Sequence, residues 1–365
     1  MDVVVFSECP TKDYYRSLMR LEEQGKIELE FMDSRLLYLL ALKLYGSLYP
    51  LRYLVHMFFK KPLDVRHVCL MKEIFPSFFA YLTLPFTKKT IVVLFAPYSP
   101  TVVYLWLLRK MKRKVLYMTS WPFWDGKRYA HVPSFLRMYF WNAFLYDVPA
   151  VTISQKAREG VMMYGHRVVQ IPHGVDISLF TPGKKKEDFT VLFVGRLVPE
   201  KGIDDLLAVA RDLPAISFIF VGAGPLAEKL RTCGLPNVQY LVEIRDRERL
   251  ARLYRESHVF VLNSYALPHW EELFGIVLLE ALASGTPVIS TDCVGPKEIV
   301  KPEFGFLIPQ HNNEALKEKI LFFSTHPKEV QKMGLQGRLS VEKRYNLDTM
   351  ARLWHEVLME KIFKL

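Results

Sequence analysis

Short apolar runs alternate with longer amphipathic stretches along the whole chain. In the first half, an apolar run at 1–6 is followed by further runs of strand length, and helical patterns lie between them. The predicted strands are 26–32, 64–71, 90–96, 114–119 and 150–154, and the predicted helices include 11–25, 100–111 and 134–146. This alternation is typical of a parallel sheet with crossover helices.

The second half repeats the plan. Strands are predicted at 189–195, 216–221, 238–241, 259–262 and 287–291, with helices at 203–212, 224–231, 246–256 and 276–283. The polar stretch 180–188 contains Pro182 and Gly183 and is predicted to be the interdomain linker. The expected fold is therefore α/β, with two doubly wound Rossmann-like domains facing a central cleft that would hold a substrate.

Composition and charge narrow the class of protein. The 365 residues are 50% hydrophobic, so the chain can build large cores, and the four cysteines show no paired spacing that would indicate zinc or a disulfide framework. Residues 1–175 carry 24 Lys and Arg against 13 Asp and Glu, whereas the rest is balanced. A basic half favours a nucleic acid, an anionic lipid surface or a phosphorylated acceptor. No nucleic-acid motif accompanies the charge, so nucleic acid is not an expected partner.

The first residues lack the features of a secretory signal, so we expect a protein that is not exported. Asp2 stands where a secretory signal would carry a cation, and no small-residue cleavage site follows. The stretch 36–59 is nearly all apolar, but Lys43, Pro50 and Arg52 interrupt it, which disfavours a membrane span. Buried or amphipathic helices, or a surface lying on an anionic membrane, remain the alternatives. The expected location is cytoplasmic, with peripheral attachment to the cytoplasmic membrane face.

Two glutamates eight positions apart form the strongest local signal. Glu272 precedes the predicted helix 276–283 and Glu280 lies within it, about 2.2 turns farther along. The start of that helix offers free backbone N–H groups and a positive dipole end, which suit a phosphate. Glu280 on an otherwise apolar helix is either a salt-bridged core acid or an acceptor for sugar or ribose hydroxyls.

A second cluster follows the strand at 189–195. Arg196 and Lys201 lie in a loop at the strand's carboxyl end, where a guanidinium and an ammonium could hold a diphosphate without a metal. Gly222 and Gly224 follow the next strand and form a tight turn that would admit a ligand closely. No Asp-x-Asp motif occurs in the chain, so no metal and no other cofactor is expected.

These residues resemble the GT-B fold glycosyltransferases, specifically the retaining group 1 (family 4) enzymes. The resemblance extends from 171 to 309 and rests on 171–176, 195–202, 272–280 and 295–298. It implies that Arg196 and Lys201 neutralise the diphosphate of a nucleotide-sugar donor, that Glu272 binds a donor-sugar hydroxyl and that Glu280 accepts from the ribose. The donor phosphates would also contact the turn glycines and the backbone N–H groups of the segment after Glu272. Those further donor-binding positions are Gly222, Gly224, Phe274, Gly275 and Ile276.

The resemblance also implies a domain plan. An acceptor domain at 1–175 would be followed by a nucleotide-sugar domain at 176–345, with a last helix at about 346–365 returning to the first domain. The chain departs from the family pattern in its first half. Ser7 and Glu8 begin the segment where the family has a glycine-rich loop, and Ser120 stands near the place of a common histidine. His131 lies downstream, although a lone histidine is more often structural.

The expected function is retaining, metal-independent transfer of a sugar from a nucleotide-diphosphate sugar to a lipid-linked or membrane-associated glycan. Glu272 would position the donor, or act as the nucleophile of a double displacement. The basic runs 88–89, 109–114 and 127–128, beside the aromatic residues Trp121, Phe123 and Trp124, would face the acceptor or an anionic membrane, unless they are only a solvated basic face. The alternatives are a nucleotide-sugar epimerase or phosphorylase on the same fold, or an inactive sugar-nucleotide-binding protein.

Overall fold

The computed structural model describes residues 1–8, 12–34, 79, 81–99, 101–124, 135–268 and 270–360. These residues form two compact units. The first contains the described residues up to Ile171 together with those from Ala351 onward, and the second extends from Pro172 to Met350. The predicted strand at 64–71, the apolar stretch at 36–59, the basic pair 127–128 and His131 lie outside the described residues.

The first unit is built on a six-stranded parallel sheet with the order β2-β1-β3-β4-β5-β6. The strands are β1 (Asp2–Ser7), β2 (Glu28–Asp33), β3 (Thr90–Leu94), β4 (Val115–Thr119), β5 (Ala150–Thr152) and β6 (Val168–Gln170). The described helices are α1 (Arg16–Glu23), α2 (Val102–Lys110), α3 (Phe135–Asp147) and α4 (Gln155–Met162).

Continuous burial explains why the central strands of the first unit lack a polar face. Val3, Val4 and Val5 are all fully buried in β1, as expected of a parallel strand covered on both sides. Helix α4 begins after Ser154, whose side chain accepts a hydrogen bond from the backbone N–H of Ala157. That cap satisfies an N–H group with no partner inside the helix and defines where the chain turns after β5.

The second unit contains another six-stranded parallel sheet, with the order β12-β11-β10-β7-β8-β9. Its strands are β7 (Thr190–Val194), β8 (Ser217–Val221), β9 (Val238–Leu241), β10 (Val259–Leu262), β11 (Val288–Thr291) and β12 (Gly305–Ile308). Its helices are α5 (Ile203–Asp212), α6 (Ala227–Arg231), α7 (Arg247–Glu256), α8 (Ile276–Ala283), α9 (Val294–Ile299), α10 (Asn313–Thr325) and α11 (Pro327–Arg344). A last helix, α12 (Leu347–Leu358), begins in the second unit and ends in the first.

A buried apolar cluster of the second unit covers one face of this sheet. Val191 and Phe193 of β7 pack with Ile203 and Leu206 of α5, and Phe323 of α10 belongs to the same buried cluster. Because the central strands are buried on both sides, their sequences read as unbroken apolar runs. Polar side chains in this sheet are therefore concentrated after the strand ends, where the loops begin.

The α/β prediction is confirmed, and so are the five strands predicted in the second half. Strands β6 and β12 and helices α4, α9, α10 and α11 were not predicted. Gly305 opens β12, so its apolar run is limited to Phe306, Leu307 and Ile308 and is shorter than the runs of about four to eight residues that predict a buried strand. The linker prediction at 180–188 is wrong, because this segment lies inside the second unit and Phe180 is fully buried there.

Within the part of the chain that the structure describes, no helix combines the length and apolar character needed to cross a membrane.

Candidate functional site

The candidate site of the second unit lies at the carboxyl ends of three neighbouring strands, β7, β10 and β11. The loop after β7 ends in a short 3-10 turn, Pro199–Lys201, that delivers Lys201 to this edge. Gly202 follows at φ 65°, and a Cβ there would lie 2.1 Å from the carbonyl oxygen of Asn263, which follows β10. Only glycine lets the two loops approach this closely.

Lys201 and Glu272 form an ion pair in this site. Their side chains are only 11% and 14% exposed, and the Lys201 ammonium also lies 5.0 Å from the centre of the Trp270 ring. The sequence predicted that both residues contact the donor but did not predict that they contact each other. A desolvated pair of this kind holds its charges in place, and an incoming phosphate would compete with Glu272 for the lysine.

Arg196 remains close to solvent. Its side chain is 60% exposed, its guanidinium is 3.7 Å from Glu200, and its guanidinium carbon is 5.9 Å from the Trp270 ring centre. The weak ion pair leaves this cation able to turn toward a ligand at little cost. Both predicted phosphate-binding cations therefore lie near the Trp270 ring, a contact that was not predicted from the sequence.

The start of α8 presents backbone donors at the same edge. Gly275 caps the helix at φ 87°, and within the described residues no hydrogen bond is made by the N–H groups of Phe274, Gly275 and Ile276. Gly295 packs against this turn: its N–H donates to the Glu272 carbonyl over 2.9 Å, and a Cβ there would lie 2.2 Å from the Phe274 nitrogen. The loops after β10 and β11 therefore support one another and hold Glu272 beside the free donors.

Glu280 is buried on α8, with an exposure of 3%. Its Oε1 accepts a hydrogen bond from Arg247 over 3.3 Å, and its Oε2 accepts one from the Tyr254 hydroxyl over 3.2 Å. The structure therefore gives Glu280 the salt-bridged environment that was one of the two interpretations of the sequence. Its role toward a ribose stays a prediction. Arg247 and Tyr254 were missed because they lie on α7, far from Glu280 along the chain.

Gly222 and Gly224 pack on the loop that carries Arg196. A Cβ at Gly222 would lie 1.9 Å from the Gly195 carbonyl oxygen, and one at Gly224 would lie 2.4 Å from the Leu197 carbonyl oxygen. The Leu197 N–H also donates to the Ala223 carbonyl over 2.8 Å. These glycines shape the phosphate-binding loop through backbone contact, and their direct contact with a donor stays a prediction.

His173 is a buried residue to which the sequence analysis gave no role. Its ring is 9% exposed and lies edge-on to Phe274 with 5.0 Å between ring centres. Two residues later, Val175 exchanges backbone hydrogen bonds with Tyr345 and Leu347. This segment is therefore anchored both to the start of α8 and to the end of α11. The sequence feature that could have pointed to His173 is the run 171–176, which contains it and carries part of the family resemblance.

The first unit carries a half-buried carboxylate at the carboxyl end of β1. Glu8 accepts hydrogen bonds from the backbone N–H of Ala96 over 3.0 Å, from the Thr101 hydroxyl over 3.2 Å and from the Ser99 hydroxyl. Burial raises the pKa of Glu8 above its usual value, although the hydrogen bonds to Ser99, Ala96 and Thr101 act in the opposite sense. The sequence analysis noted only that glycine is absent here, so the polar pocket around Glu8 was missed.

The prediction that the basic run 109–114 lies beside the aromatic residues 121–124 is wrong. The basic run precedes β4 and the aromatic residues follow it, so they occupy opposite ends of a strand about 16 Å long. Trp124 is buried, and its indole N–H donates to the Trp121 carbonyl over 3.0 Å. At least part of the aromatic segment therefore serves the core of the first unit.

In the part of the chain that the structure describes, no three His, Cys, Asp or Glu side chains are grouped so that they could hold a metal ion.

Residues 176–340 match the family model for the group 1 glycosyl transferases. A D-inositol 3-phosphate glycosyltransferase of Mycobacteroides abscessus is 33% identical over 168 residues, covering 40% of this chain and 37% of that protein. A GDP-mannose-dependent alpha-mannosyltransferase of Mycolicibacterium smegmatis is 31% identical over 238 residues, covering 61% of this chain and 58% of that protein. The matches thus span less than two thirds of these relatives.

Solved structures share the fold. Sucrose-phosphate synthase of Thermosynechococcus elongatus superposes with a TM-score of 0.72 at 20% identity, covering 100% of this chain and 99% of that one. HepE of Anabaena, solved in complex with UDP-glucose, gives 0.69 at 16% identity and covers 100% of both chains. The predicted GT-B fold is therefore confirmed. Residues 176–340 therefore form a group 1 glycosyl transferase domain.

Proposed function

We propose that this protein transfers a sugar from a nucleotide-diphosphate sugar to a lipid-linked or membrane-associated glycan, with retention of anomeric configuration and without a metal. The observation that carries the proposal is the meeting of Lys201, Glu272 and the free N–H groups at the start of α8 on one edge of the second sheet. Ligands of open α/β sheets bind at that edge. The family assignment and the names of the relatives support the same class of reaction.

Positive charge at this edge is the proposed source of leaving-group stabilisation. Lys201, Arg196 and the N–H groups of Phe274, Gly275 and Ile276 would surround the diphosphate of the donor. Glu272 balances the Lys201 charge in the structure, so donor binding would replace one anionic partner of the lysine by another. Charge that develops on the departing diphosphate then meets donors already in position, which is the most effective form of electrostatic catalysis.

The proposed bond changes occur on one face of the sugar. The bond between the anomeric carbon and the diphosphate oxygen breaks, and the acceptor hydroxyl oxygen bonds to the same carbon from the side the diphosphate leaves. The departing phosphate oxygen takes the acceptor's proton. Glu272 orients a donor-sugar hydroxyl in this route. Glu280, held by Arg247 and Tyr254, would offer its remaining acceptor capacity to the ribose hydroxyls.

The acceptor side of the proposal rests on the surface of the first unit. Phe135, Leu136, Tyr139 and Tyr146 on α3 are 86%, 64%, 58% and 65% exposed. Exposed aromatic residues on a helix of a basic domain favour contact with an anionic membrane. We expect Phe135→Ser to weaken binding to vesicles that contain phosphatidylglycerol. Leu335→Ser, a matched change at a 57% exposed leucine of the second unit, should leave that binding unchanged.

Product analysis tests the reaction. Purified protein is incubated in EDTA with GDP-mannose, UDP-glucose or ADP-glucose and a membrane lipid extract, and products are separated by mass and anomeric configuration. A glycosylated lipid whose new linkage keeps the configuration of the donor supports the proposal. An isomerised donor would indicate an epimerase, and donor binding without any product would indicate an inactive binding protein. A covalent sugar adduct on Glu272 would replace the same-face route by double displacement.

Donor affinity tests the site. Arg196→Ala should weaken donor binding about 10- to 100-fold, because a hydrogen bond between charged groups contributes about 1.5–3 kcal/mol. Arg231→Ala is the matched control, since Arg231 is 50% exposed and pairs with Glu228 on its own helix. Glu280→Ala should also weaken binding, with circular dichroism verifying the fold. Wild-type affinity in both Arg196→Ala and Glu280→Ala would refute the site assignment.

A further inference from the structure

A second cluster of cations lies at the other end of the first sheet. It lines a cavity of about 340 Å³ at the amino ends of β3 to β6, where Thr90 and Val115 open their strands and Pro149 and Arg167 precede theirs. The proposed donor site occupies the carboxyl edge of the second sheet. The cavity in the first unit is therefore separate from that site, and nothing in the proposed transfer reaction uses it.

The cavity wall carries an excess of positive charge. Five cations line it against two carboxylates, Asp147 and Glu360. The cations are Arg109, Lys112, Arg113, Lys114 and Arg167. Glu360 pairs with Lys114 over 3.3 Å, and Asp147 lies 3.5 Å from Arg109. Within the described residues, Lys112 and Arg113 form no ion pair with a carboxylate.

The two arginines of the basic run are held in place by backbone carbonyls. Arg113 donates from Nη1 to the Thr87 carbonyl over 3.1 Å and from Nε to the Met111 carbonyl over 3.2 Å. Arg109 donates from Nη2 to the Asp147 carbonyl over 2.8 Å, and its Nε is buried without a hydrogen-bond partner. Carbonyl contacts orient a guanidinium but do not balance its charge, so the charge of Arg113 is left for a ligand, whereas that of Arg109 is partly balanced by Asp147.

Lys112 adds evidence from the backbone. It has φ 58°, in the left-handed conformation that ends a helix, where glycine is the favoured residue. A lysine costs more than a glycine at this position. The side chain forms no described hydrogen bond or ion pair that would offset that cost. A ligand charge would do so.

We propose that this cavity binds a phosphate group, carried either by a free anion or by a lipid headgroup. Its volume lies at the lower end of the range for small-molecule sites, which suits a phosphate with a small substituent. Fixed guanidinium groups match phosphate oxygens in geometry, and the lysines add charge without a fixed direction. The lipid source has support from α2, whose Arg109 lines the cavity: Val103 and Leu107 of this helix and Met111, which follows its end, are exposed at intervals of four residues.

Calorimetric titration with inorganic phosphate and with pyrophosphate tests the proposal in the full chain. We expect saturable binding that weakens at least tenfold in Lys112→Gly and in Arg113→Gln. Lys112→Gly should also raise the melting temperature, because glycine accepts the left-handed backbone; a variant that folds better yet binds worse separates binding from folding. Lys156→Gln is the control, since Lys156 is an exposed lysine of the same unit that lies after β5, at the opposite end of the sheet.

Two further measurements decide between outcomes. Phosphate binding should persist at saturating UDP and GDP and in Arg196→Ala, so loss of binding in either case would place the phosphate in the donor site and overturn the proposal. Unchanged affinity in both Lys112→Gly and Arg113→Gln would also overturn it. Vesicles of phosphatidylcholine with and without phosphatidylglycerol identify the source: a preference for anionic vesicles that Lys112→Gly removes indicates a lipid headgroup, and phosphate binding without that preference indicates a free anion.

Discussion

Lys185 provides the sharpest stability test, because its amine is largely buried in the second unit without a carboxylate partner. Its Nζ donates to the Thr286 hydroxyl over 2.7 Å, and within the described residues no acid pairs with it. Thr286 in turn donates to the carbonyl of Tyr254, the residue that holds Glu280. Burial lowers the pKa of Lys185 from its usual 10.5 to about 7.

The magnitude follows from that pKa. Between about pH 7 and pH 10.5 the unfolded chain holds a proton on Lys185 that the folded protein has lost, so the free energy of unfolding rises with pH. The expected slope approaches about 1.4 kcal/mol per pH unit, so the free energy of unfolding should rise by about 2–3 kcal/mol between pH 7.5 and 9.5. Below about pH 7 both states hold the proton, and the contribution stays at its least favourable value.

Lys185→Met removes the buried charge. We expect the variant to be more stable than wild type at pH 6.5, by at most about 5 kcal/mol, and to lack the slope between pH 7.5 and 9.5. The measurement is urea unfolding of the full chain at several pH values, compared as a difference between variant and wild type so that the other groups cancel. Lys184→Met, a change at the exposed neighbouring lysine, is the control. The reasoning would be refuted if the free energy of unfolding of Lys185→Met rose with pH as steeply as that of wild type. It would also be refuted if Lys185→Met were less stable than wild type at pH 6.5, because burial would then not disfavour the charged amine.

Two further predictions concern the stability of the folded protein. Gly202→Ala should destabilise the protein by about 2–5 kcal/mol, because its φ is 65° and its Cβ would meet the Asn263 carbonyl. Gly234→Ala, at φ 68° with open space around it, should cost only about 1 kcal/mol, and equal losses in thermal unfolding would contradict the steric argument. Burial raises the pKa of Glu8, so the folded protein holds that proton more tightly than the unfolded chain. The free energy of unfolding of the wild type should therefore fall as pH rises through that raised pKa. If urea unfolding of Glu8→Gln showed the same fall with pH, Glu8 would not be its cause.

Buried strands could be predicted because each is a local apolar run bounded by polar residues. Strand β10 illustrates this: all four of its residues are buried, and its bounds match the prediction. The edge strand β12 could not be found in the same way, since it opens with a glycine and its side chains are only partly covered. The carboxyl-edge position of Lys201 was also predictable, because a residue that follows a parallel strand must lie at that edge.

Contacts between residues that are far apart in the sequence could not be predicted from local sequence patterns. The ion pair of Lys201 with Glu272 and the contact of Arg247 with Glu280 each join residues on different loops or helices, and motif spacing carries no information about such partners. The half-buried environment of Glu8 likewise depends on Ser99 and Thr101, which reach it only because β3 lies next to β1.

The two-domain α/β plan and the family motifs could be predicted from the sequence alone, because the periodicity of strands and helices and the chemistry of turns depend on a few neighbouring residues. Tertiary structure decided which charges meet and which face the solvent. It moved the basic run 109–114 to the amino end of the first sheet, away from the aromatic residues 121–124, and gathered five cations around one cavity there. The physical reason is that electrostatics and desolvation depend on distances through space, which are established only when the sheets assemble.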